Sequence, residues 1–246
     1  MPGPIKIGSS NHGNVALTIP DTGVYLFGYF RYSESESESS VVAVGSVLLR
    51  PGATSWVSEP SLREYRSQLS SSCIVHLPGQ SSLLVIHSSQ QVWEYSLESK
   101  TWAPKDTWPL LLEKRVGCKC SVIGDTVIVV GGRGRADRIS TEVINISKKT
   151  IRFGGDLRTE RNDPALVTLN NILYAIGGSG QDANRDIVDV WMEETKEWRP
   201  VEGGLEEKRI YPVALVVPLD VVCPTATPLS NHSPPSHQAT SSGSGG

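Results

Sequence analysis

The sequence predicts an all-β propeller, in which small sheets of equal size recur around an axis, and two repeating markers carry that prediction. Both markers return along the 246 residues at steps of 45 to 51. A period of this length with strand-like patterning is typical of propeller blades, because each repeat is long enough for one small sheet. The aromatic markers are Trp56, Trp102, Phe153 and Trp198, and the arginine markers are Arg66, Arg115, Arg161 and Arg209.

The markers divide the chain into four copies that follow an N-terminal extension over residues 1–12. Each copy is expected to contain two apolar strands joined by a turn, a third strand, and a fourth strand near the aromatic marker. The large aromatic side chain is expected to pack as a plate between adjacent blades. The copies cover residues 13–66, 67–115, 116–161 and 162–209.

The first copy contains an unusual insertion. Its strands are predicted over 15–19 and 24–28, joined by the turn 20–23, and a further strand resumes at Val41. Between them, residues 33–40 alternate serine and glutamate. This segment cannot bury a face and is predicted to be a solvated loop, and the alternative is an acidic phosphorylation segment.

The other three copies follow the same plan with stronger apolar strands. Turns are expected at Gly124-Asp125 and at Asn170-Asn171, because these residue types tolerate left-handed backbone conformations. The predicted strands are 74–77, 83–86, 92–97 and one that opens at Trp102 in the second copy, 121–123, 127–132, 142–146 and 151–153 in the third, and 165–169, 172–178, 187–191 and 197–199 in the fourth.

One further strand is predicted over 211–218, in the position that opens a fifth copy. Four copies and one strand leave three alternatives: an incomplete or open propeller, a small closed one, or an oligomer that completes the ring. An open arc would expose sheet faces and favour self-association. Residues 219–246 are rich in Ser, Thr, Pro and Gly and are expected to be disordered.

The third and fourth copies resemble the kelch repeat. The resemblance rests on double glycines that end an apolar strand, Gly131-Gly132 and Gly177-Gly178, each followed about twenty residues later by an aromatic. A glycine pair permits positive φ and close backbone approach. The first two copies lack the pair. The resemblance implies a kelch-type propeller over residues 13–218 that binds proteins.

Composition excludes several classes of function. The net charge of -3 gives no electrostatic case for nucleic acid, and no apolar run is long enough to span a membrane. No secretory signal is visible, which favours a cytoplasmic location. The alternative is a secreted protein with an incomplete N-terminus, which the sequons at Asn145 and Asn231 keep open. The cysteines, Cys73, Cys118, Cys120 and Cys223, are expected to be buried free thiols.

No catalytic or cofactor-binding motif is recognisable. His76 and His87 could face each other across a hairpin, but no carboxylate or thiol lies at a fitting spacing for a metal. His12, His232 and His237 suggest no site either. The sequence therefore predicts no enzyme, no metal and no cofactor, and an enzyme with a central-channel site is kept only as the least favoured alternative.

The arginine markers are the candidate binding residues. In kelch adaptors, arginines at this place line the mouth of the propeller and grip acidic peptides, so the resemblance implies this role for Arg66, Arg115, Arg161 and Arg209. The loop 133–138 adds Arg133, Arg135 and Arg138. The predicted function is a scaffold or adaptor for a protein or acidic peptide. Two alternatives remain: arginines that pair with local acids, and an extracellular glycosylated propeller in adhesion or matrix interaction.

Overall fold

The computed structural model describes residues 15–19, 21–32, 41–60, 73–77, 79–87, 90–132, 139–180 and 186–217. The chain divides into two compact units, Met1–Leu215 and Val216–Gly246. Of the second unit, residues 216 and 217 are described, and both are exposed and without regular structure. The predicted extension 1–12, the insertion 33–40 and the tail 219–246 lie outside the described residues.

Sixteen strands in the described residues form four antiparallel sheets of four strands each, and every sheet follows the chain order. We call these sheets blades 1 to 4. The strands of blade 1 are β1 Val15–Ile19, β2 Gly23–Tyr32, β3 Val41–Leu49 and β4 Val57–Ser58; of blade 2, β5 Cys73–Leu77, β6 Ser82–Ile86, β7 Val92–Ser96 and β8 Thr101–Trp102; of blade 3, β9 Lys119–Ile123, β10 Thr126–Val130, β11 Thr141–Asn145 and β12 Thr150–Phe153; of blade 4, β13 Ala165–Leu169, β14 Ile172–Ile176, β15 Val188–Met192 and β16 Glu197–Pro200.

The local sequence explains the tight hairpins that open blades 3 and 4. Leu169 pairs with Ile172, so Asn170 and Asn171 form a two-residue turn with φ values of 50° and 61°. Such a turn requires positive φ, which asparagine tolerates and which matches the twist of the strands. In blade 3, Gly124 occupies the corresponding turn with φ of 54°. The predicted turns are therefore confirmed.

The blades lie side by side in chain order, and the fold is a four-bladed β-propeller. The first strands contact each other in series: β1 packs on β5, β5 on β9, and β9 on β13. Among the described strands, no contact joins β13 back to β1. The all-β propeller prediction is confirmed.

Three apolar cores fill the three junctions between neighbouring blades. Tyr25 and Phe27 of blade 1 pack on the fully buried Leu83 and Val85 of blade 2. The core between blades 2 and 3 contains Leu84, Ile86, Val127 and Val129, and the core between blades 3 and 4 contains Ile128, Val130, Leu173 and Ala175. Alternate residues of β6 and β10 thus serve opposite junctions, so each blade is sandwiched as a propeller requires.

The aromatic plates were predicted correctly at two of the four markers. Trp102 packs in the core between blades 1 and 2, and Trp198 is buried between blades 3 and 4. Phe153 is 50% exposed, and its place in the core between blades 2 and 3 is taken by Ile151 and Trp108. Trp56 is 40% exposed, and it belongs to blade 1, which no other blade precedes among the described residues.

Two further expectations are corrected. Cys73 of β5 and Cys120 of β9 form a disulfide across 47 residues, so they are not free thiols. Cys118 is a buried free cysteine, as expected, and burial raises the pKa of its thiol to about 11. Cys223 lies outside the described residues. The predicted strand 211–218 is wrong for residues 211–217, which form no strand and are largely exposed.

The predicted facing of His76 and His87 is also wrong. His76 pairs with Leu83 near the turn of the β5–β6 hairpin, whereas His87 follows the far end of β6. The two histidines therefore lie at opposite ends of the hairpin. Within the described part of the chain, no helix has the length and hydropathy needed to cross a membrane.

Candidate functional site

Arg115 immediately precedes blade 3 and is buried, with 2% of its surface exposed. Its Nε donates to Oε1 of Glu142 at 2.8 Å, and one terminal nitrogen donates to the carbonyl oxygens of Gly131 at 3.0 Å and Ser140 at 2.8 Å. The other terminal nitrogen donates to Oγ of Ser140 at 2.8 Å. The guanidinium is thus engaged on all three nitrogens within the protein.

Glu142 is the buried partner of Arg115. It sits in β11 and is fully buried, which is unusual for a carboxylate and requires compensation by hydrogen bonds. Backbone N–H groups of Leu112 and Glu113 donate to its two oxygens at 2.7 and 3.2 Å. Glu113 also lies 3.6 Å from the guanidinium of Arg115 and accepts from Ser140 at 2.8 Å. The carboxylate therefore ties the segment before β9 to the third strand of the blade.

Blade 4 repeats this arrangement with different residues. Arg161 is 1% exposed, donates to the carbonyl oxygens of Ala175 at 3.0 Å and Ile187 at 3.4 Å, and pairs with the fully buried Asp189 of β15. Arg158 lies 3.6 Å from the same carboxylate. Burial lowers the pKa of Arg161 and raises the pKa of Asp189, and the attraction between the two charges offsets part of both effects.

Both arginines act at the same place in their blades, where the loop between the second and third strands begins and ends. Gly131 and Ser140 flank the loop 133–138, whereas Ala175 is the second-last residue of β14 and Ile187 immediately precedes β15, on either side of the connection that contains residues 181–185. One guanidinium group therefore bridges the two stems of each loop. We call Arg115 with Glu142 and Arg161 with Asp189 the stem clasps. The tips of both loops lie outside the described residues.

The double glycines connect each blade to the next segment of chain. The backbone N–H of Gly132 donates to the carbonyl of Arg161, and that of Gly178 donates to the carbonyl of Arg209, both at 3.1 Å. Gly132 and Gly178 have φ of 90° and 110°, and a Cβ on Gly132 would lie 2.8 Å from the backbone nitrogen of Cys118. The predicted reasons for glycine, positive φ and close approach, are confirmed at these positions.

The structure thus separates the arginines that were predicted to bind a partner. Arg115 and Arg161 are interior and point their donors at the chain itself, which matches the alternative that they pair with local acids. Arg209 is exposed and donates to Glu207 at 2.7 Å. Arg66, Arg133, Arg135 and Arg138 lie outside the described residues. Partner binding by these arginines stays a prediction.

Blade 2 carries an aromatic stack where blades 3 and 4 carry clasp acids. Trp93 pairs with Val85 of β6, and Glu142 pairs with Val129 of β10. Trp93 therefore occupies in blade 2 the position that Glu142 occupies in blade 3. His87 stacks on Trp93 with ring centroids 5.0 Å apart. Burial lowers the pKa of His87 to about 4, because the charged imidazolium is poorly solvated there. The His87–Trp93 stack therefore holds a neutral imidazole at neutral pH.

The junction of blades 1 and 2 holds a further polar network that sequence reasoning missed. The hydroxyl of Tyr95 donates to Glu59 at 2.8 Å, and Lys100 donates to the hydroxyl of Tyr25 at 2.7 Å and lies 3.3 Å from Glu59. Burial, and secondly the bond to Glu59, raise the pKa of Tyr95. The network joins the two blades and keeps two buried tyrosines satisfied.

The clasp acids were also missed, although the sequence contains a signal for them. Glu142 and Asp189 are each the one acid within a third strand of otherwise apolar or small residues, 27 and 28 residues after the arginine marker. A charge at a core position of a strand indicates a buried partner. The described residues include no group of three or more His, Cys, Asp or Glu side chains arranged to hold a metal ion.

Comparison with known proteins gives one weak match. No protein-family model matches the chain. An F-box/kelch-repeat protein of Arabidopsis thaliana is 28% identical over 90 residues, which is 35% of this chain and 22% of the plant protein. The match therefore spans about a fifth of that relative. Together with the four-bladed propeller, it supports kelch-type repeats in a fold that commonly serves protein interaction.

Proposed function

We propose that this chain is a non-catalytic scaffold or adaptor of kelch type, and that it binds an acidic protein segment through the loops between the second and third strands. The observation that carries the proposal is the pair of stem clasps. In each clasp, the arginine of a buried ion pair holds the two stems of one loop together. Binding residues are commonly placed on loops that a rigid scaffold positions.

The loop of blade 3 has the composition for an acidic partner. Its sequence, residues 133–138, contains Arg133, Arg135 and Arg138. Guanidinium groups recognise carboxylates through paired hydrogen bonds, and three of them on one short loop favour a segment with several acids. In this proposal Arg115 acts by positioning the loop, because its own donors are already used within blade 3.

The experiment compares two triple variants in binding to a fluorescent peptide of alternating Asp and Glu residues. In the first, Arg133, Arg135 and Arg138 become Gln. In the matched control, the exposed residues Lys148, Arg152 and Arg199 become Gln, which removes the same charge from fourth strands and their turns. We expect the loop variant to weaken binding at least about tenfold and the control to change it less than about twofold. Equal losses in both variants, or none in the first, would contradict the proposed surface.

A second candidate is the extracellular propeller, and the disulfide favours it. The Cys73–Cys120 bond links the first strands of blades 2 and 3, and such bonds persist mainly in oxidising compartments. The sequon residue Asn145 lies at the end of β11, where its side chain donates to Asp125 at 3.1 Å in an exposed turn. Secretion from cultured cells with a leader added, followed by N-glycosidase treatment, tests it. No mass change relative to an Asn145→Gln control would exclude glycan use at this position.

A further inference from the structure

The junction of blades 3 and 4 shows how two blades of this chain fit together. The leading face of blade 3, which points along the chain toward blade 4, presents Ile128, Val130 and Val143. Leu173 and Trp198 of blade 4 pack against this face. The indole N–H of Trp198, which lies in the fourth strand, donates to the hydroxyl of Thr141 of blade 3 at 2.9 Å. An apolar leading face thus receives a trailing face that carries a tryptophan.

The leading face of blade 4 has no partner in the described chain. Strand register places Tyr174, Ile176 and Val190 where blade 3 has Ile128, Val130 and Val143. The residues of blade 3 are at most 2% exposed, whereas those of blade 4 are all partly exposed. Ile172 on the same face is 41% exposed. Blade 4 therefore presents to solvent the kind of face that is covered at each internal junction.

The trailing face of blade 1 is the complementary element. Val47 pairs with Ser58, and Trp56 lies two residues before Ser58, so Trp56 is on the same face of blade 1 as Val47. Leu48 is on the other face and packs toward blade 2. Trp56 is the marker equivalent to Trp102 and Trp198, which both donate their indole N–H to the preceding blade. Trp56 is 40% exposed, whereas Val47 on the same face is 1% exposed, so the described blades leave this tryptophan uncovered but not the whole face.

The backbone beyond blade 4 is already set for another blade. Arg209 accepts from Gly178 as Arg161 accepts from Gly132, and Tyr211 has φ of 53° as Asp163 has φ of 51°. Residues 212–217 form no strand, and Val213 is 88% exposed. The chain thus leaves blade 4 in the conformation that precedes a blade, while the described residues supply no such blade.

We propose that a second copy of this chain covers the leading face of blade 4 with the trailing face of its own blade 1, in a head-to-tail contact that repeats the internal junctions. The argument is continuity with those junctions: among the described residues, the apolar leading face of blade 4 and Trp56 on the trailing face of blade 1 are exposed, and β13 does not contact β1 within the described strands. Two copies joined in this way at both ends form a ring of eight blades, and propellers of about four to eight blades are stable. The surface is distinct from the arginine loop proposed above.

The test measures the mass of the chain in solution by sedimentation equilibrium over a concentration series. We expect a species of twice the 26.6 kDa of one chain. Ile172→Glu and Trp56→Asp each place a charge on one of the two free faces, and each is expected to raise the dimer dissociation constant about 30-fold or more. Leu110→Glu is the control, because Leu110 is an exposed apolar residue in the loop before β9 and belongs to neither face.

Mixing the two variants distinguishes the arrangement. A head-to-tail contact predicts that Ile172→Glu chains, which keep an intact blade 1 face, pair with Trp56→Asp chains, which keep an intact blade 4 face. A dimer should therefore return in the mixture but not in either variant alone. A monomeric parent chain at all concentrations would overturn the proposal, as would a Trp56→Asp chain that dimerises alone, because that result indicates pairing of two blade 4 faces. Circular dichroism of each variant verifies that the strands remain.

Discussion

Replacing Arg115 by Met is expected to destabilise the protein severely, although the arginine markers were first interpreted as binding residues. The substitution removes hydrogen bonds to Glu142, to the carbonyl oxygens of Gly131 and Ser140, and to the hydroxyl of Ser140. The carboxylate of Glu142 stays fully buried and keeps two backbone N–H donors, but it loses the guanidinium charge that was paired with it. Methionine retains most of the apolar volume, so the loss comes from the unpaired charge.

The expected magnitude follows from the burial of the pair. Breaking a buried ion pair by removal of one partner typically costs about 3–5 kcal/mol. In a protein of this size, 1 kcal/mol corresponds to roughly 2–4 °C in the midpoint of thermal unfolding, so a fall of about 10 °C is expected. Arg209→Met is the matched control, since Arg209 and its partner Glu207 are exposed and such pairs contribute at most about 1 kcal/mol.

The assay is thermal and urea unfolding of the parent chain, the Arg115→Met variant and the Arg209→Met variant, with far-ultraviolet circular dichroism as the signal. The double variant Arg115→Met with Glu142→Met removes both charges, and we expect it to recover a large part of the stability because no charge is left buried alone. A loss in Arg115→Met no larger than that in Arg209→Met would refute the assignment of Arg115 to a stem clasp.

Three other variants, each compared with the parent chain, test separate features of the fold. His87 has a pKa of about 4 in the folded protein against an ordinary value of 6.5, so the unfolded chain binds more protons between these values. The free energy of unfolding should therefore fall by about 3 kcal/mol as pH drops through this window, and His87→Phe should remove most of that dependence in urea titrations at several pH values. Cys73→Ser with Cys120→Ser should cost about 2–4 kcal/mol, and the difference from the parent chain should vanish in reductant. Gly132→Ala should destabilise by at least about 1 kcal/mol in the same unfolding assay, because its φ is 90° and the new Cβ would meet the backbone of Cys118, whereas Gly203→Ala, with positive φ but open space, should cost less.

The repeat could be predicted because its markers arise from backbone geometry. Gly131 and Gly132 leave no room for a Cβ because the backbones of Arg161 and Cys118 lie against them, and Gly177 and Gly178 have positive φ of 55° and 110°. The hairpin at Asn170-Asn171 is equally local. Residue types that tolerate these backbone conformations can be recognised in the sequence, so the four repeats and most strand positions were predicted correctly, whereas the number of blades and the closure of the ring were left open.

Features that depend on distant residues were not predicted. The Cys73–Cys120 bond joins first strands of different blades, and four cysteines alone allow several pairings. From the sequence alone, Arg115 is expected to be exposed, because its buried partner Glu142 lies 27 residues further along the chain. The residues 211–217 have the apolar composition of a strand, but a strand needs a neighbour to pair with, and composition does not supply one.

The serial contact of the first strands determines where the molecule is most resistant to opening. Within the described strands, blades 2 and 3 each contact two neighbouring blades and are joined by the Cys73–Cys120 bond, whereas blades 1 and 4 each contact one. In such linear arrays cooperativity passes between adjacent units only. In the monomeric chain, amide protons of β6 and β10 should therefore exchange with deuterium last, and those of β1 and β13 earlier.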